Sequence, residues 1–442
     1  MSRPRVIPLR RLRRKVACAL VWAVPSLLFA QTGIKTKVDA TSVATNMPAL
    51  AAQPAVAAAM SALQSDNAWT IKQQIALCEI PSPPFKETAR GLAFKQQLIS
   101  LGLTNVRIDA QGNVFGEIRG TQPGPTVLLS SHLDTVFPEG TTVKVKREGT
   151  KLTGPGIGDD CRGLAVNLAI ARQLVTNKIP IAGRILVVAT VGEEGPGNLR
   201  GVRAIFKSTL KDSIAYFISV DGIGFTITNR AVGSIRYRVT YSGPGGHSYE
   251  AFGMPNPIHA VGRAIATISD LQVPTEPKVT FSVSIVSGGQ SVNSIPASGT
   301  MEIDMRSESP EALANVDNRI QAALHKALKD EIARWPSSKV PLSIKIDTTG
   351  IRPAGNTADT SRIVRTALAA GKHLGITAPL TASSTDANIA MSLHIPAITI
   401  DAGGISHGTH ALDESYDDGK DGFKGPQWVM LFVLGLTGIG AR

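Results

Sequence analysis

The chain has 442 residues, which is long for a single domain, and its 43% apolar content is ample for a packed core. The formal charge of +12 suggests an anionic partner, but seven of those charges fall within residues 1–30. The remaining +5 is spread without an aromatic-studded basic stripe, so a nucleic-acid-binding protein is not indicated. Beyond residue 30 the chain has two cysteines, Cys78 and Cys161, too few for a disulfide framework.

The N-terminal segment explains most of the charge. Basic residues up to Lys15 precede the apolar run 16–30 and then polar residues, which is the layout of a secretory signal peptide. The run is short for a spanning helix, although an uncleaved anchor is the alternative because Leu28-Phe29-Ala30 matches a cleavage site poorly. We therefore expect an exported protein, periplasmic or secreted, with no stable membrane span after processing. Residues 31–64 are expected to form a leader or linker, with a helix starting near Pro54.

Downstream of residue 64, short apolar runs alternate with segments of helical spacing. Strands are predicted at 126–130, 184–190 and 215–220, and helices at 69–80, 90–101 and 163–174. Strands that alternate with helices predict an α/β layer with a largely parallel sheet. We assign residues 65–230 to the first part of a catalytic domain.

The pattern changes near Ala231, where apolar residues begin to alternate with a period of two. Such strands are predicted at 234–241, 279–286 and 299–305, with helices at 256–269 and 309–335 between them. The βαββαβ order predicts a smaller α+β domain inserted over residues 231–350. The α/β pattern returns in residues 351–442, the second part of the catalytic domain, where the apolar run 428–436 is interpreted as a core helix.

Histidine and acidic residues stand at the carboxyl ends of the predicted strands, where open α/β sheets place their sites. The groups are His132 with Asp134, Asp159 with Asp160, Glu193 with Glu194, Asp221, and His407 or His410 followed by Asp413 and Glu414. Each group alone has an ordinary explanation, such as a helix N-cap by either member of the aspartate pair. Together they offer imidazole and carboxylate donors without thiolate. Such a set suits two divalent ions, zinc by ligand type, with manganese or cobalt as alternatives.

In this order the motifs resemble the family of dizinc exopeptidases and amidohydrolases that includes peptidase T, glutamate carboxypeptidase, acetylornithine deacetylase and succinyl-diaminopimelate desuccinylase. The likeness runs from about Glu79 to the C-terminus and takes in SHLDTV, GPGIGDD, the EEG turn, VDG, GPGGHS, SVNSIPAS, DMR, STDA and HALDE. It implies a zinc-exopeptidase-like fold, in which a mixed, largely parallel sheet is flanked by helices. The inserted domain would then be a lid or dimerisation domain, and a homodimer through it is expected.

The resemblance also implies a role for each residue of the metal site. The implied ligands are His132 and Asp221 for one ion, Glu194 and His410 for the other, and Asp159 as the bridge. Asp134 would orient His132, and Glu193 would be the general base that passes a proton from the bridging water to the leaving nitrogen. We favour His410 over His407 because Asp413 and Glu414 follow His410 at the spacing that the family shows.

Three residues of the inserted domain match family positions that contact the substrate. His247 resembles the histidine that stabilises the tetrahedral oxyanion, often across a dimer interface, although by itself it would be interpreted as a solvated loop residue. Asn293 and Arg306 match residues that hold the substrate's carbonyl or carboxylate. A surface salt bridge with Asp304 is the alternative for Arg306.

Two positions depart from the family's pattern. Cys161-Arg162 replaces the lysine that usually follows the paired aspartates, and Asp221 stands where deacylases and carboxypeptidases tend to carry glutamate. Aspartate is more similar to the aminopeptidase and dipeptidase branch, so we expect an exopeptidase that cleaves short peptides. An N-acyl amino-acid deacylase or carboxypeptidase on the same site is the alternative. A non-catalytic binding protein is disfavoured because Glu193 is present.

Overall fold

The computed structural model describes residues 46–440. The signal peptide predicted for residues 1–30, and the start of the leader that follows it, lie outside the described residues. Between residues 46 and 440, no helix combines the length and the apolar content that crossing a membrane requires.

The strands and helices of the described chain are numbered in chain order. The strands are β1 (Thr104–Ile108), β2 (Val114–Arg119), β3 (Gln122–His132), β4 (Lys146–Glu148), β5 (Lys151–Thr153), β6 (Ala182–Thr190), β7 (Ile214–Val220), β8 (Ile227–Ala231), β9 (Gly233–Ser242), β10 (Gly246–His247), β11 (Val279–Gly288), β12 (Ser294–Ile295), β13 (Ser298–Ser307), β14 (Ser343–Arg352), β15 (Gly355–Asn356), β16 (Leu380–Ser383), β17 (Ala397–Ile400), β18 (Ile405–His407) and β19 (Ser415–Asp417). The helices are α1 (Met47–Ala51), α2 (Pro54–Ser65), α3 (Asn67–Cys78), α4 (Thr88–Ser100), α5 (Cys161–Thr176), α6 (Arg200–Lys207), α7 (Pro257–Ser269), α8 (Pro310–Ala333), α9 (Arg362–His373), α10 (Ala387–Ser392) and α11 (Lys424–Thr437).

The central sheet has the strand order β1-β2-β6-β3-β7-β17-β8-β15, with β16 beside β8. Its middle strands β6, β3, β7 and β17 run parallel, whereas β1 and β2 at one edge and β8 and β15 at the other pair antiparallel with their neighbours along this order. The middle strands are continuous apolar runs because helices cover them on both faces. The predicted fold class, a mixed and largely parallel sheet flanked by helices, is confirmed.

The C-terminal helix α11 lies inside the main hydrophobic core. Every residue from Gly425 to Thr437 is buried, and the helix packs against α5, α9 and strand β3. A helix that is apolar on all sides needs such surroundings. The apolar run 428–436 is thus a core helix, as predicted.

Most of the described part of the expected leader or linker is helical, and the helix predicted to start near Pro54 is present as α2. Residues 47–65 contain α1 and α2, and Met47, Leu50, Val56 and Leu63 belong to the main core. Alanine is a strong helix former, and each helix has a proline in its first turn, where proline is tolerated. In an alanine-rich helix the buried and exposed faces differ little in hydrophobicity, so the sequence shows only weak helical periodicity.

Residues 233–352 build a second, four-stranded sheet of order β11-β13-β9-β14, in which all neighbours are antiparallel. Helices α7 and α8 pack against it around a separate apolar core. The main elements follow the βαββαβ order, and β11 lies at the edge of the sheet with most of its side chains exposed. The boundaries of the domains, and the lid or dimerisation role, stay predictions.

Candidate metal centre

Three neighbouring parallel strands bring acidic and histidine side chains to one edge of the central sheet. Strand β3 ends at His132, β6 ends shortly before Glu193 and Glu194, and β7 ends directly before Asp221. The loop between β18 and β19 adds His410 from the C-terminal part of the chain. These side chains line one cavity of about 640 Å³.

Asp159 lies between the two histidines and directs one carboxylate oxygen at each. Its Oδ1 is 2.8 Å from Nε2 of His132, and its Oδ2 is 3.0 Å from Nε2 of His410. Nε2 of His410 also lies 3.1 Å from Oε1 of Glu194, and Nε2 of His132 lies 4.0 Å from Oδ1 of Asp221. In this position the Asp159 carboxylate would be able to hold two ions, one beside each histidine.

The donor atoms fall into compact groups of three that fit metal ions. One group is His132, Asp159 and Asp221, another is Asp159, Glu194 and His410, and a third is His132, Glu193 and Glu194. Within each group the donor atoms lie within 4.8 Å of one another. Imidazole and carboxylate donors in overlapping groups suit two divalent ions, and zinc is among the metals that prefer such donors.

The electrostatics of the cluster also fit cations. Burial raises the pKa of Asp221 well above its usual range, and the neighbouring carboxylates raise it further against the opposing effect of His132. Burial likewise raises the pKa of Glu194 to about 7. Hydrogen bonds to Asp159 and Glu194 raise the pKa of His410 to about 10. Carboxylates that are so crowded and buried are stabilised in their charged form when cations lie among them.

The two adjacent aspartates have different functions. Asp160 accepts hydrogen bonds from the main-chain N–H of His132 at 2.8 Å and of Gly163 at 3.1 Å. Its carboxylate therefore caps the N-terminus of α5 and does not face the cavity. A side chain at Gly163 would place its Cβ 2.1 Å from the main-chain oxygen of Val220. Because this glycine lets α5 approach the end of β7 so closely, Asp159 reaches the cavity beside Asp221.

Asp134 contacts both His132 and the turn that carries the two glutamates. Its carboxylate accepts hydrogen bonds from the main-chain N–H of Glu193 at 3.0 Å and of Glu194 at 2.9 Å. Nδ1 of His132 is 2.9 Å from the main-chain oxygen of Asp134 and 3.7 Å from its carboxylate. The direct contact with the imidazole is therefore made by the main chain, while the carboxylate fixes the turn.

Glu193 has a buried partner that the sequence did not reveal. Nη1 of Arg352 lies 3.0 Å from Oε1 of Glu193, and Nη2 of Arg352 donates to the main-chain oxygen of the same residue. Arg352 is the last residue of β14, at the junction between the inserted sheet and the return to the catalytic domain. In the sequence, the arginine could have been noticed because a proline follows it directly at this junction. The guanidinium therefore holds both the side-chain carboxylate and the main-chain oxygen of Glu193.

Glu414 organises the loop that carries Asp159. Its carboxylate accepts hydrogen bonds from the main-chain N–H of Gly156, Gly158 and Asp159, at 3.2, 2.8 and 3.0 Å. Burial raises the pKa of Glu414 despite these hydrogen bonds. Of the two candidate histidines that precede it, His410 contacts Asp159 and Glu194, whereas His407 lies on exposed strand β18.

Three arginines line the same cavity on the side of the inserted domain. Arg306, which the sequence singled out, is joined there by Arg236 and Arg352. Oδ1 of Asp304 accepts from Nε of Arg236 at 2.8 Å, and its Oδ2 accepts from Nε of Arg306 at 2.7 Å. Burial opposes the effect, but these hydrogen bonds lower the pKa of Asp304. One carboxylate thus fixes two guanidiniums at the cavity wall.

His247 and Asn293 lie together elsewhere. They line a second cavity of about 580 Å³ within the inserted domain, beside the short pairing of β10 with β12. Nδ1 of His247 accepts weak hydrogen bonds from the main-chain N–H of Tyr249 and Glu250, both at 3.4 Å. Across residues 46–440, the lining of the metal cavity includes Arg306 but neither His247 nor Asn293. Their predicted contact with the substrate stays a prediction.

Comparison with known proteins identifies relatives of the chain. The sequence profile of peptidase family M20/M25/M40 matches residues 128–427. Carboxypeptidase G2 from Pseudomonas sp. (strain RS-16) is 29% identical over 330 residues, which cover 70% of this chain and 75% of that protein.

Solved structures show the same fold. Aminopeptidase PepT from Bacillus cereus superimposes with a TM-score of 0.68 at 19% identity and covers 84% of this chain and 99% of its own. The Bacillus subtilis YxeP protein, described as a dinuclear metal-binding peptidase, superimposes with a TM-score of 0.62 at 17% identity and covers 85% and 99%. The profile match, which spans more than half of the chain, shows that this protein belongs to peptidase family M20/M25/M40 and is a metal-dependent peptidase or amidohydrolase.

Proposed function

We propose that the protein is an exopeptidase that cleaves short peptides, with the C-terminal carboxylate of the substrate held by arginines of the inserted domain. The observation that carries the proposal is one cavity lined by both the metal-ligand cluster and Arg236, Arg306 and Arg352. A guanidinium fork is well suited to a carboxylate, and two forks fixed by Asp304 are already oriented for one.

Each residue of the metal-ligand cluster has a proposed role in the reaction. Two divalent ions, proposed to be zinc and held by His132, Asp159, Glu194, Asp221 and His410, would supply a water activated near neutral pH and polarise the scissile carbonyl. Glu193 is the proposed base that accepts the proton of the attacking water and donates it to the leaving nitrogen. Its turn is fixed by the carboxylate of Asp134 and by Arg352, so its carboxylate has a defined position.

A second candidate function is an N-acyl amino-acid deacylase or a carboxypeptidase. The likeness to carboxypeptidase G2 favours it, and an amino-acid product presents the same carboxylate to the arginines. A substrate panel separates a peptidase from a deacylase: di- and tripeptides, the same peptides with C-terminal amides, and N-acyl amino acids. The first amino acid released from a tripeptide, N-terminal or C-terminal, separates an aminopeptidase from a carboxypeptidase. We expect free peptides to be cleaved fastest and the amides to be cleaved poorly. Cleavage of N-acyl amino acids alone would show that the peptidase proposal is wrong.

The test of the proposed base is Glu193→Gln, with Glu193→Asp as the conservative variant. Because Glu193 pairs with Arg352 and is proposed not to be a permanent ligand, we expect both ions to be retained. Loss of a general base lowers kcat by roughly 10²–10⁴-fold. Metal analysis and turnover should be measured on the same preparation. Full turnover in Glu193→Gln would remove Glu193 from this role.

We further propose that His247 reaches the substrate from the inserted domain of a second copy, in a homodimer. The supporting observation is that His247 and Asn293 line a cavity apart from the metal ligands of their own chain. Mixing inactive Glu193→Gln with inactive His247→Ala tests this, because a mixed dimer would contain one complete site. Recovered activity together with a dimer mass in solution supports the proposal, and a monomeric active enzyme contradicts it.

We also propose that the chain is exported, because residues 1–30 have the layout of a signal peptide. Cell fractionation and the N-terminal mass of the recovered protein test this. A protein that keeps Met1 and stays in the cytosol would contradict it.

A further inference from the structure

The two cysteines of the described chain lie in one buried cluster inside the protein. Cys78 is the last residue of α3 and Cys161 is the first residue of α5, and these two helices pack together. Both side chains are fully buried in the same small apolar cluster, where they are neighbours. The thiol of Cys78 donates a hydrogen bond to the main-chain oxygen of Pro155, at 3.4 Å.

This pair lies at the base of the loop that carries Asp159. Helix α3 holds the loop through Cys78 and also through Gln74, whose Nε2 donates to the main-chain oxygen of Ile157 at 2.7 Å. Cys161 follows the aspartate pair directly, so the cluster places the end of α3 beside the far end of the loop. The contacts between α3 and the loop are otherwise hydrogen bonds and apolar packing.

We propose that Cys78 and Cys161 form a disulfide when the protein folds under oxidising conditions, which ties α3 covalently to the loop of the metal centre. A disulfide requires a sulfur–sulfur distance of about 2.05 Å, and two cysteines of one small cluster between packed helices can reach it by a local adjustment of α3 and α5. The closed segment contains strands β1 to β5, so the bond also restricts a long stretch of the unfolded chain. The proposed export would place folding in an oxidising compartment.

The oxidant is a disulfide, either of low molecular weight or of a protein. One cysteine of the chain attacks the oxidant as its thiolate, which forms a mixed disulfide and releases one thiol from the oxidant. The second cysteine then attacks the chain's own sulfur in the mixed disulfide and releases the second thiol. The two protein thiols lose two protons and two electrons, and the oxidant gains them. Since both sulfurs are buried in the folded protein, this exchange takes place during folding.

The test uses the full chain carrying Cys18→Ser, so that Cys78 and Cys161 are its only cysteines. The unfolded protein is refolded with either reduced or oxidised glutathione, then unfolded in an alkylating agent and analysed by peptide mass mapping. We expect two alkylated cysteines after reducing refolding, and a cross-linked peptide pair without alkylation after oxidising refolding. We also expect the oxidised protein to melt roughly 5 °C higher than the reduced protein.

Cys78→Ala in the same background is the matched control, because it removes the partner and leaves Cys161 in place. Its Tm should be the same after both refolding conditions. Two alkylated cysteines, or a glutathione adduct on each cysteine, after oxidising refolding would overturn the proposal. A cross-link that lowers Tm would also overturn it, because such a bond would be incompatible with the native packing of α3 on α5.

Discussion

The metal centre and the His247 cavity are built in contrasting ways. In the metal centre, the loops that carry the ligands are held by Asp134, Asp160 and Glu414, each of which accepts at least two main-chain hydrogen bonds. Around His247 the partners are weak, and the neighbouring apolar side chains are exposed. These neighbours are Tyr249, Phe252 and Val292, which are 87%, 76% and 102% exposed. The metal centre is therefore preorganised within its own chain, whereas the His247 surface is exposed and weakly bonded, as the proposed homodimer requires.

The largest effect that this comparison predicts is for Asp159→Ala. Both histidines of the centre lose their shared carboxylate, so we expect loss of bound metal and a fall in kcat/KM of at least about 10⁴-fold. Metal content after dialysis and activity with added zinc provide the measurement. The neighbour Asp160→Asn is the control: asparagine keeps only one of the two acceptor oxygens that Asp160 uses, so the variant should lose about 1 kcal/mol of stability while keeping the metal. Equal metal content in both variants would contradict the bridging position.

The next largest effect is expected at the His247 surface of the inserted domain. His247→Ala should lower kcat by roughly 10²–10³-fold, as expected for loss of one group that stabilises an oxyanion. Because the side chain is exposed and weakly bonded, metal content and Tm should not change. Kinetics together with metal analysis separate this variant from a damaged metal centre. A kcat of His247→Ala equal to that of the wild type would show that His247 does not take part in the reaction.

Arg306→Ala should act on substrate binding. Loss of a charged hydrogen bond to the C-terminal carboxylate should raise KM for free peptides by roughly 10–100-fold and change KM for C-terminal amides much less. The control is Arg238→Ala, on neighbouring strand β9, whose guanidinium pairs with Glu302 at 2.8 Å and does not line the cavity. Similar KM values for wild type and Arg306→Ala on both substrate classes would argue against carboxylate binding at this wall.

The smallest effect is on stability and reports on the buried surroundings of the metal centre. Burial, and then the charge of Glu193, raise the pKa of Asp386 to about 7, although Thr190 donates a hydrogen bond to it. A carboxyl whose pKa is about 3.9 in the unfolded chain then binds its proton more tightly when folded. Its contribution to stability is fully present below about pH 4 and is lost as the pH rises through about 7.

Chemical unfolding of the metal-free protein at several pH values measures this contribution. Between pH 4 and pH 7, we expect the free energy of unfolding to decrease by on the order of 2 kcal/mol more in wild type than in Asp386→Asn. Asparagine keeps an acceptor for Thr190 but does not titrate in this range. The same pH dependence in both proteins would show that Asp386 does not carry the effect.

Strand ends could be predicted from the sequence because their pattern is local. The run 126–130 ends next to His132, and 215–220 ends next to Asp221, so a parallel sheet brings these ligands to one edge. The contact between Arg352 and Glu193 could not be predicted in this way, since it joins residues 159 apart across two sheets. The residue pattern alone also does not separate Asp159 from Asp160, which are identical in type and adjacent in sequence, and it was the family resemblance that assigned the cavity position to Asp159. The structure shows the physical basis, which is the close approach of α5 to β7 that Gly163 permits.

The hydrogen bonds of Glu414 have a consequence for the order in which the protein is made. The loop that this carboxylate holds is synthesised early, whereas His410 and Glu414 follow only after the whole inserted domain, since Gly156 and Glu414 are 258 positions apart along the chain. A nascent chain that still lacks them carries His132, Glu194 and Asp221 but cannot finish the cluster. The cluster therefore assembles only when the C-terminal part of the chain packs onto the first part of the catalytic domain.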